Sequence, residues 1–268
     1  MIRITSADQD PALPSGADAG LPPLPFRVVD ESPRWIVVDK PPYLLVHPSK
    51  PSQRRTLWDE LRALLSFEIA CGGQVSIINR LDRETSGLTL IAKDHTTASD
   101  FSRKMEQRLV RKEYLAIVWG WPASDEWEVD APILRQGEQQ PSRIYLKQMV
   151  HPKGAAAATS FLVEKRFQRP APFDGRYAVV RARPATGRMH QIRVHLAYSG
   201  HPVVGDKIYG PDEACYLEFI ETGWTPSLEQ RLLLPRHALH SSALSLGSPA
   251  LEWTSALPPD LQRFVGTE

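Results

Sequence analysis

The order of apolar and polar positions divides this chain into an unpatterned start and a patterned remainder. Residues 1 to 25 are rich in Pro, Ala, Gly and Asp and follow neither a helical nor a strand period. They predict a flexible leader, with structure beginning near Phe26. "RWIVVDKPP" (34–42) reads as a short apolar strand stopped by two prolines, and "YLLVHPS" continues as an extended or turning segment. In "TLWDELRALLSFEIA" (56–70), Thr56 is placed to cap a helix, and Leu57, Leu61, Leu64 and Leu65 recur at helical spacing. "VSII" (75–78) and "LTLIAKD" (88–94) predict two strands around a loop, and "TASDFSRKMEQRL" (97–109) a helix with a stripe at Ala98, Phe101 and Met105.

"KEYLAIVWG" (112–120) alternates strictly, with Tyr114, Ala116 and Val118 on one face and Leu115, Ile117 and Trp119 on the other. Both faces are apolar, which predicts a central strand. Residues 121 to 154 read as a loop excursion with short strands, "SRIYLK" (142–147) among them. Strands resume at "ATSFLVEKRF" (158–167) and "RYAVVRARP" (176–184). A turn at "ATGR" leads into the helix of "MHQIRVHLAYSG" (189–200), with Ile192 and Leu196 on its buried side and Gly200 ending it. Beyond residue 211 the pattern weakens, apart from "RLLLP" (231–235) and a final strand in "HSSALSLG" (240–247). Many strands with few helices, and no regular alternation of the two, predict an α+β protein built on a mixed sheet.

Composition narrows the class. With 268 residues, 42% of them hydrophobic, the chain can bury a sizeable core. No stretch approaches the roughly 20 apolar residues of a membrane span, and the first residues lack the pattern of a signal peptide, so a cytoplasmic protein is expected. Cys71 and Cys215 stand far apart, without metal-ligand spacing, and read as plain buried thiols. The net charge of +1 does not itself indicate a nucleic-acid partner, but basic residues crowd into 101–114 and 165–193. Such segregation can lay a positive strip across a near-neutral surface.

The most informative stretch is "NRLDRETSG" (79–87), which sets Asp82 between Arg80 and Arg83 and then turns sharply. Fixed positive charge favours the ionised form of an acid, which suits a nucleophile or base and equally an ordinary surface ion pair. Ser86 lies outside a G-x-S-x-G elbow and reads as a turn residue whose hydroxyl caps backbone groups. His190 and His195 lack the four-residue spacing of two ligands on one helix face, so no metal site is expected.

Four segments in fixed order resemble the RluA-type RNA pseudouridine synthases: "DKPPYLLVHPS", "NRLDRETSGLTLIAKD", "KEYLAIVWG" and "ATGRMHQIRVHLAYSGHPVVGDKIYG". The resemblance runs from about residue 26 to 246. It implies a single catalytic domain over residues 26–268 with a large mixed, mainly antiparallel sheet flanked by helices and loops. It also implies isomerisation of a uridine in structured rRNA or tRNA. Substrate and product contain the same atoms, so no cofactor is implied. Asp82 matches the family's indispensable aspartate, which could add to C1′ of the ribose or remove the C2′ proton. Arg193 matches its cationic partner, and Tyr114 the tyrosine that stacks on the uracil and assists loss of the C5 proton. Arg80, Lys112, Arg188 and His190 are expected to bind RNA, with the basic residues at 103–112 and 165–188 holding flanking phosphates.

Two departures from the family stand out. Asn79 replaces the usual His and is expected to be a structural substitute, while "LGSPA" (246–250) replaces a common His-Pro pair. The leader is too short and polar for the S4 domain that many relatives carry, so a monomer without an obligatory protein partner is expected. A catalytically silent RNA-binding protein or chaperone on the same scaffold is the alternative, disfavoured by the intact Asp82, Tyr114 and Arg193. A hydrolase with paired carboxylates is disfavoured because Glu84 is a poor second acid.

Overall fold

The computed structural model describes residues 24–48, 55–170, 175–247 and 250–266. Residues 1–23 of the leader, and Ser248 and Pro249 of "LGSPA", lie outside them. In chain order the strands are β1 (Arg27–Glu31), β2 (Trp35–Lys40), β3 (Ser76–Ile77), β4 (Ser86–Ala92), β5 (Val110–Trp119), β6 (Glu126–Asp130), β7 (Ile133–Arg135), β8 (Gln148–Val150), β9 (Ala158–Arg169), β10 (Gly175–Pro184), β11 (Leu239–Gly247) and β12 (Ala250–Thr254). The helices are α1 (Leu57–Leu64), α2 (Ser66–Ala70), α3 (His95–Glu106), α4 (Gln191–Tyr198), α5 (Ala214–Thr222), α6 (Pro226–Leu232) and α7 (Pro259–Val265).

Ten of these strands form one sheet, in the order β1-β2-β4-β11-β5-β10-β9-β6, with β3 on β4 and β12 on β11. Its pairings are antiparallel except that of β4 with β11. The expected mixed, mainly antiparallel α+β architecture is therefore the one observed. The continuous apolar run of β2 has a simple cause: Ile36 and Val38 pack with Leu57 and Leu61 of α1, while Val37 packs on the other side with Phe101 of α3. A sheet covered on both faces leaves no solvent face to mark.

Several local expectations change. The helix over 56–70 is two helices, because the chain turns at Leu65. Leu65 stays buried at the turn, while Leu64 and Phe67 face solvent. Thr56 does cap α1, in a reciprocal box with Asp59. "SRIYLK" is a turn rather than a strand; the strand is the next three residues, β8. Cys71 is exposed at the end of α2, whereas Cys215 is buried in α5. Ser86 is a buried strand residue whose hydroxyl bonds His240 Nδ1 at 3.0 Å, not the backbone.

Gly87 shows why β4 and β11 can run side by side at this point. It has φ +109°, and a Cβ there would lie 2.3 Å from the Ser241 carbonyl oxygen. Gly87→Ala is expected to cost about 3 kcal/mol or more, from backbone strain plus overpacking against a neighbouring main chain. Thermal unfolding checks it, and a melting temperature equal to wild type would remove this reason for glycine.

Candidate active site

Sheet register gathers the site. Ser241 of β11 pairs with Gly87 of β4 on one side and with Tyr114 of β5 on the other, and Tyr114 pairs in turn with Ala182 of β10. The loop before β4 carries Asp82, and the chain leaving β10 runs directly into α4, which carries Arg193. A cleft of about 270 Å³ opens where they meet, lined by Asp82, Tyr114, Arg193, Arg80, Lys112, Arg188 and His190 among others.

Arg193 is the centre of the arrangement. It is 4% exposed, donates from Nε and Nη2 to both oxygens of Asp206 at 2.6 and 2.9 Å, and donates from Nη1 to Asp82 Oδ2 at 2.9 Å. Burial alone would destabilise the guanidinium charge, but Asp206 and then Asp82 outweigh it and raise the group well above its ordinary value. Asp206 is fully buried, yet is held below the usual carboxylate range because Arg193 and the backbone N–H groups of Tyr209 and Ile208 overcome that burial. Asp206 thus fixes Arg193, and Arg193 fixes Asp82, whose side chain remains 30% exposed to the cleft.

Tyr114 forms part of the wall at 7% exposure. Burial pushes its phenol up to about 12, the hydrogen bond with Ser241 opposing and the charge of Asp82 adding to the rise. It therefore rests as a phenol, with an O–H to donate. Lys112 lies on the same strand face and is lowered by burial. Arg80 is exposed at the rim, and Arg188 reaches from the turn before α4, its Nε on the Ala156 carbonyl at 3.2 Å.

His190 adopts a left-handed backbone (φ 56°) at the start of α4. The Gln148 backbone N–H donates to the Tyr209 hydroxyl at 2.8 Å, so that hydroxyl donates onward to His190 Nδ1, also at 2.8 Å. This assigns the His190 proton to Nε2. His195 is occupied elsewhere, between the Thr159 hydroxyl and the Ala131 carbonyl at 2.9 Å each.

The basic strip largely disperses. Arg181 and Arg183 pair with Glu113 on the sheet face opposite Tyr114, Arg166 pairs with Asp125, and Arg103 and Lys104 pair with Asp100. Of the lysines and arginines in those stretches, Lys112, Arg188 and Arg193 line the cleft.

Several supporting residues were not singled out from sequence. Asp206 is one, although an acid inside the apolar run "VVGDKIYG" signals a buried partner. Lys40, fully buried after "IVVD", donates to the carbonyls of Pro41, Leu44 and Arg83 at 2.8, 3.0 and 3.2 Å, anchoring the residue after Asp82. Burial pulls Lys40 down to about 7, with Arg236 and Arg83 adding and Asp82 opposing. Three carbonyl acceptors require all three N–H groups, so we take the ammonium as its resting form. Glu84 also has a place: it pairs with Lys207 at 2.8 Å and accepts the His237 backbone N–H at 3.2 Å. The loop is thereby strapped to residues 206 and 207 on both sides of Arg83. Asn79 is 5% exposed, donates to the Leu88 carbonyl at 3.0 Å and accepts the Leu90 N–H at 2.8 Å. A neutral histidine also offers one donor and one acceptor, which makes the exchange physically reasonable.

Burial keeps three histidines around the site neutral. His190 is pulled down to about 4, helped by Arg193; His237 lies well below its ordinary value, helped by Arg193, Lys207 and Arg236; and His195 is lowered. Unfolded, each takes up a proton near pH 6.5, whereas the folded chain resists until lower pH. Stability is therefore indifferent to these groups above about pH 7 and falls as pH drops through 6.5 towards 4. The melting temperature is expected to be lower at pH 5.0 than at pH 7.5 by roughly several degrees; equal values would contradict this account of the histidines.

Comparison with known proteins places this geometry. The family profile described as RNA pseudouridylate synthase matches residues 34–198. The Ribosomal large subunit pseudouridine synthase D of Nitrosomonas europaea is 34% identical over 249 residues, covering 90% of this chain and 65% of that protein, so the chain spans a little under two thirds of that relative. The Dual-specificity RNA pseudouridine synthase RluA of Vibrio parahaemolyticus is 30% identical over 232 residues, covering 86% of this chain and 81% of that one. The structure of human RNA Pseudouridylate Synthase Domain Containing 4 has the same fold, with a TM-score of 0.68, 23% identity and coverage of 90% and 92%. The match over most of the chain, in sequence and in fold, makes this protein a member of the RNA pseudouridylate synthase family, of RluA type.

Proposed function

We propose that this chain converts one uridine of a structured ribosomal or transfer RNA into pseudouridine, with Asp82 as the group that acts on the nucleoside. The observation that carries the reading is the chain Asp206–Arg193–Asp82, ending at a carboxylate that opens into a cleft walled by Tyr114. The N1–C1′ bond breaks, the detached uracil turns, and C5 bonds to C1′; the C5 proton is lost and N1 gains one, so the composition is unchanged. Asp82 serves as nucleophile at C1′ or as base at C2′. Tyr114 stacks on the uracil. Because its phenol is held near 12, its hydroxyl relays the C5 proton rather than acting as a standing phenolate.

The target base must leave its stack to reach Asp82. Lys112, with no ion pair or hydrogen bond to other described residues, recovers the cost of its burial by meeting a phosphate, and Arg80 and Arg188 hold phosphates at the rim. The Nε2–H of His190 donates to an oxygen of the same nucleotide. A curated relative is named for the large ribosomal subunit, which favours ribosomal RNA as substrate. We take the enzyme to act as a monomer in the cytoplasm, where ribosomes and tRNA are found.

The test uses purified protein, without added metal or cofactor, on rRNA and tRNA isolated from a strain lacking the gene. One new pseudouridine, in the rRNA or tRNA fraction, is the expected result. No new pseudouridine in either would overturn the reading.

A further inference from the structure

Between β7 and β8 the chain makes a loop closed at its base by the Gln136 N–H on the Lys147 carbonyl at 2.8 Å. Its tip presents Tyr145 at 75% exposure, although the loop is not loose. Ile144, next to it, is 1% exposed and packs with Val194 of α4 and with Tyr209. The Ser142 hydroxyl and the Lys147 N–H both donate to the Ile144 carbonyl, at 3.0 and 3.1 Å. An exposed ring on an anchored backbone loses little freedom when something lies against it.

One face of that ring is already covered. The Arg135 guanidinium carbon lies 4.5 Å from its centroid. A second link leads from the ring towards the cleft. The Gln148 side-chain amide donates to the Leu146 carbonyl at 3.0 Å and to Met189 Sδ at 3.6 Å, and Met189 sits between the cleft residues Arg188 and His190. Leu146 and Met189 are themselves 43% and 51% exposed. A flat exposed aromatic backed by a cation, on a loop that Gln148 ties to Met189 beside the cleft, matches what stacks an unpaired base.

We propose that Tyr145, backed by Arg135 on a loop that Gln148 ties to Met189 at the cleft, is a stacking platform for an unpaired RNA base a few nucleotides from the flipped uridine. This rests on the RNA-modifying reading above and extends it. Cleft residues act on the target nucleotide, whereas the platform selects the single-stranded context around it. A π-face accepts any base, so the platform reads whether a neighbour is unpaired rather than which base it is.

The experiment uses an RNA fragment carrying the modified uridine, with 2-aminopurine placed in turn at each flanking position, and the full chain as wild type, Tyr145→Ala, Tyr145→Trp and Phe67→Ala. Phe67, on α2, is the control, exposed at 77% and outside the cleft. Expected are quenching at one flanking position, its loss in Tyr145→Ala, and a KM raised about tenfold with kcat within about twofold. Tyr145→Trp and Phe67→Ala should match wild type. If wild type modifies the RNA and Tyr145→Ala has the same KM and the same quenching, the platform is refuted while the function stands. If wild type forms no pseudouridine, the function falls, and the platform is judged by RNA affinity alone. Equal affinity of wild type and Tyr145→Ala then refutes it too.

Discussion

Asp82→Asn is expected to lower the rate of pseudouridine formation by about 10⁴-fold or more, with a melting temperature close to wild type. Asparagine fills the same space and its oxygen still accepts from Arg193 Nη1, so the local geometry survives. What it lacks is the negative charge and basicity that either route at the ribose demands. Stability should hold because Asp82 is partly exposed, and because Arg193 keeps both hydrogen bonds to Asp206 without it. Asp82→Glu restores the charge but moves the carboxylate by a methylene group. A displacement of that size costs about 100-fold when reacting atoms must align. Single-turnover rates on the target RNA, with melting curves of the same preparations, check both. A slow variant that also melts early would show a folding defect instead.

Arg193→Met should fail differently, losing stability as well as activity. It strands Asp206, fully buried, with only backbone N–H groups for its charge. Removing one member of a buried ion pair costs about 3–5 kcal/mol, which for a chain of this size is on the order of 10 °C in melting temperature. Replacing both partners together, Arg193→Met with Asp206→Leu, removes the stranded charge and is expected to recover part of that loss without recovering activity. The contrast separates what Arg193 does for the fold from what it does for Asp82. Recovery of activity by the double variant would mean that Asp82 needs no cation. Arg193→Lys keeps a charge but cannot reach two carboxylates with a planar fork, so it should be better folded than Arg193→Met and still slow.

The sequence made the framework legible where pattern and burial coincide. The alternation in β5 marked a central strand, Leu57 and Leu61 marked the buried side of α1 although Leu64 did not, and Phe101 marked that of α3. It was less informative where tertiary packing overrides pattern. Helix α4 is buried on every side from Gln191 to Leu196, so Arg193 and His195 face the interior although a helical wheel centred on Ile192 and Leu196 would put them outside. Beyond residue 211 the helices α5, α6 and α7 are short, with little periodicity to detect.

Site residues divide in the same way. "NRLDRETSG" drew attention to Asp82 through its flanking arginines, yet the guanidinium in contact with it comes from 111 positions away. Arg80 and Arg83 instead point to the rim and to the Tyr43 carbonyl. That pairing came from the resemblance, because spacing along a chain carries no information about a contact that only the sheet order creates. Asp206 and Lys40 were detectable in principle as charges inside apolar runs. Tyr145 left no signal, since exposure is a property of the fold.

The central claim is that Asp82 drives the isomerisation of one uridine in RNA. Its most direct test is site-resolved pseudouridine mapping of total RNA from a strain lacking the gene, complemented with wild type or with Asp82→Asn at matched protein levels. The account predicts that one site disappears on deletion, returns with wild type and stays absent with Asp82→Asn. A site restored equally by both, or no site lost on deletion, would contradict it.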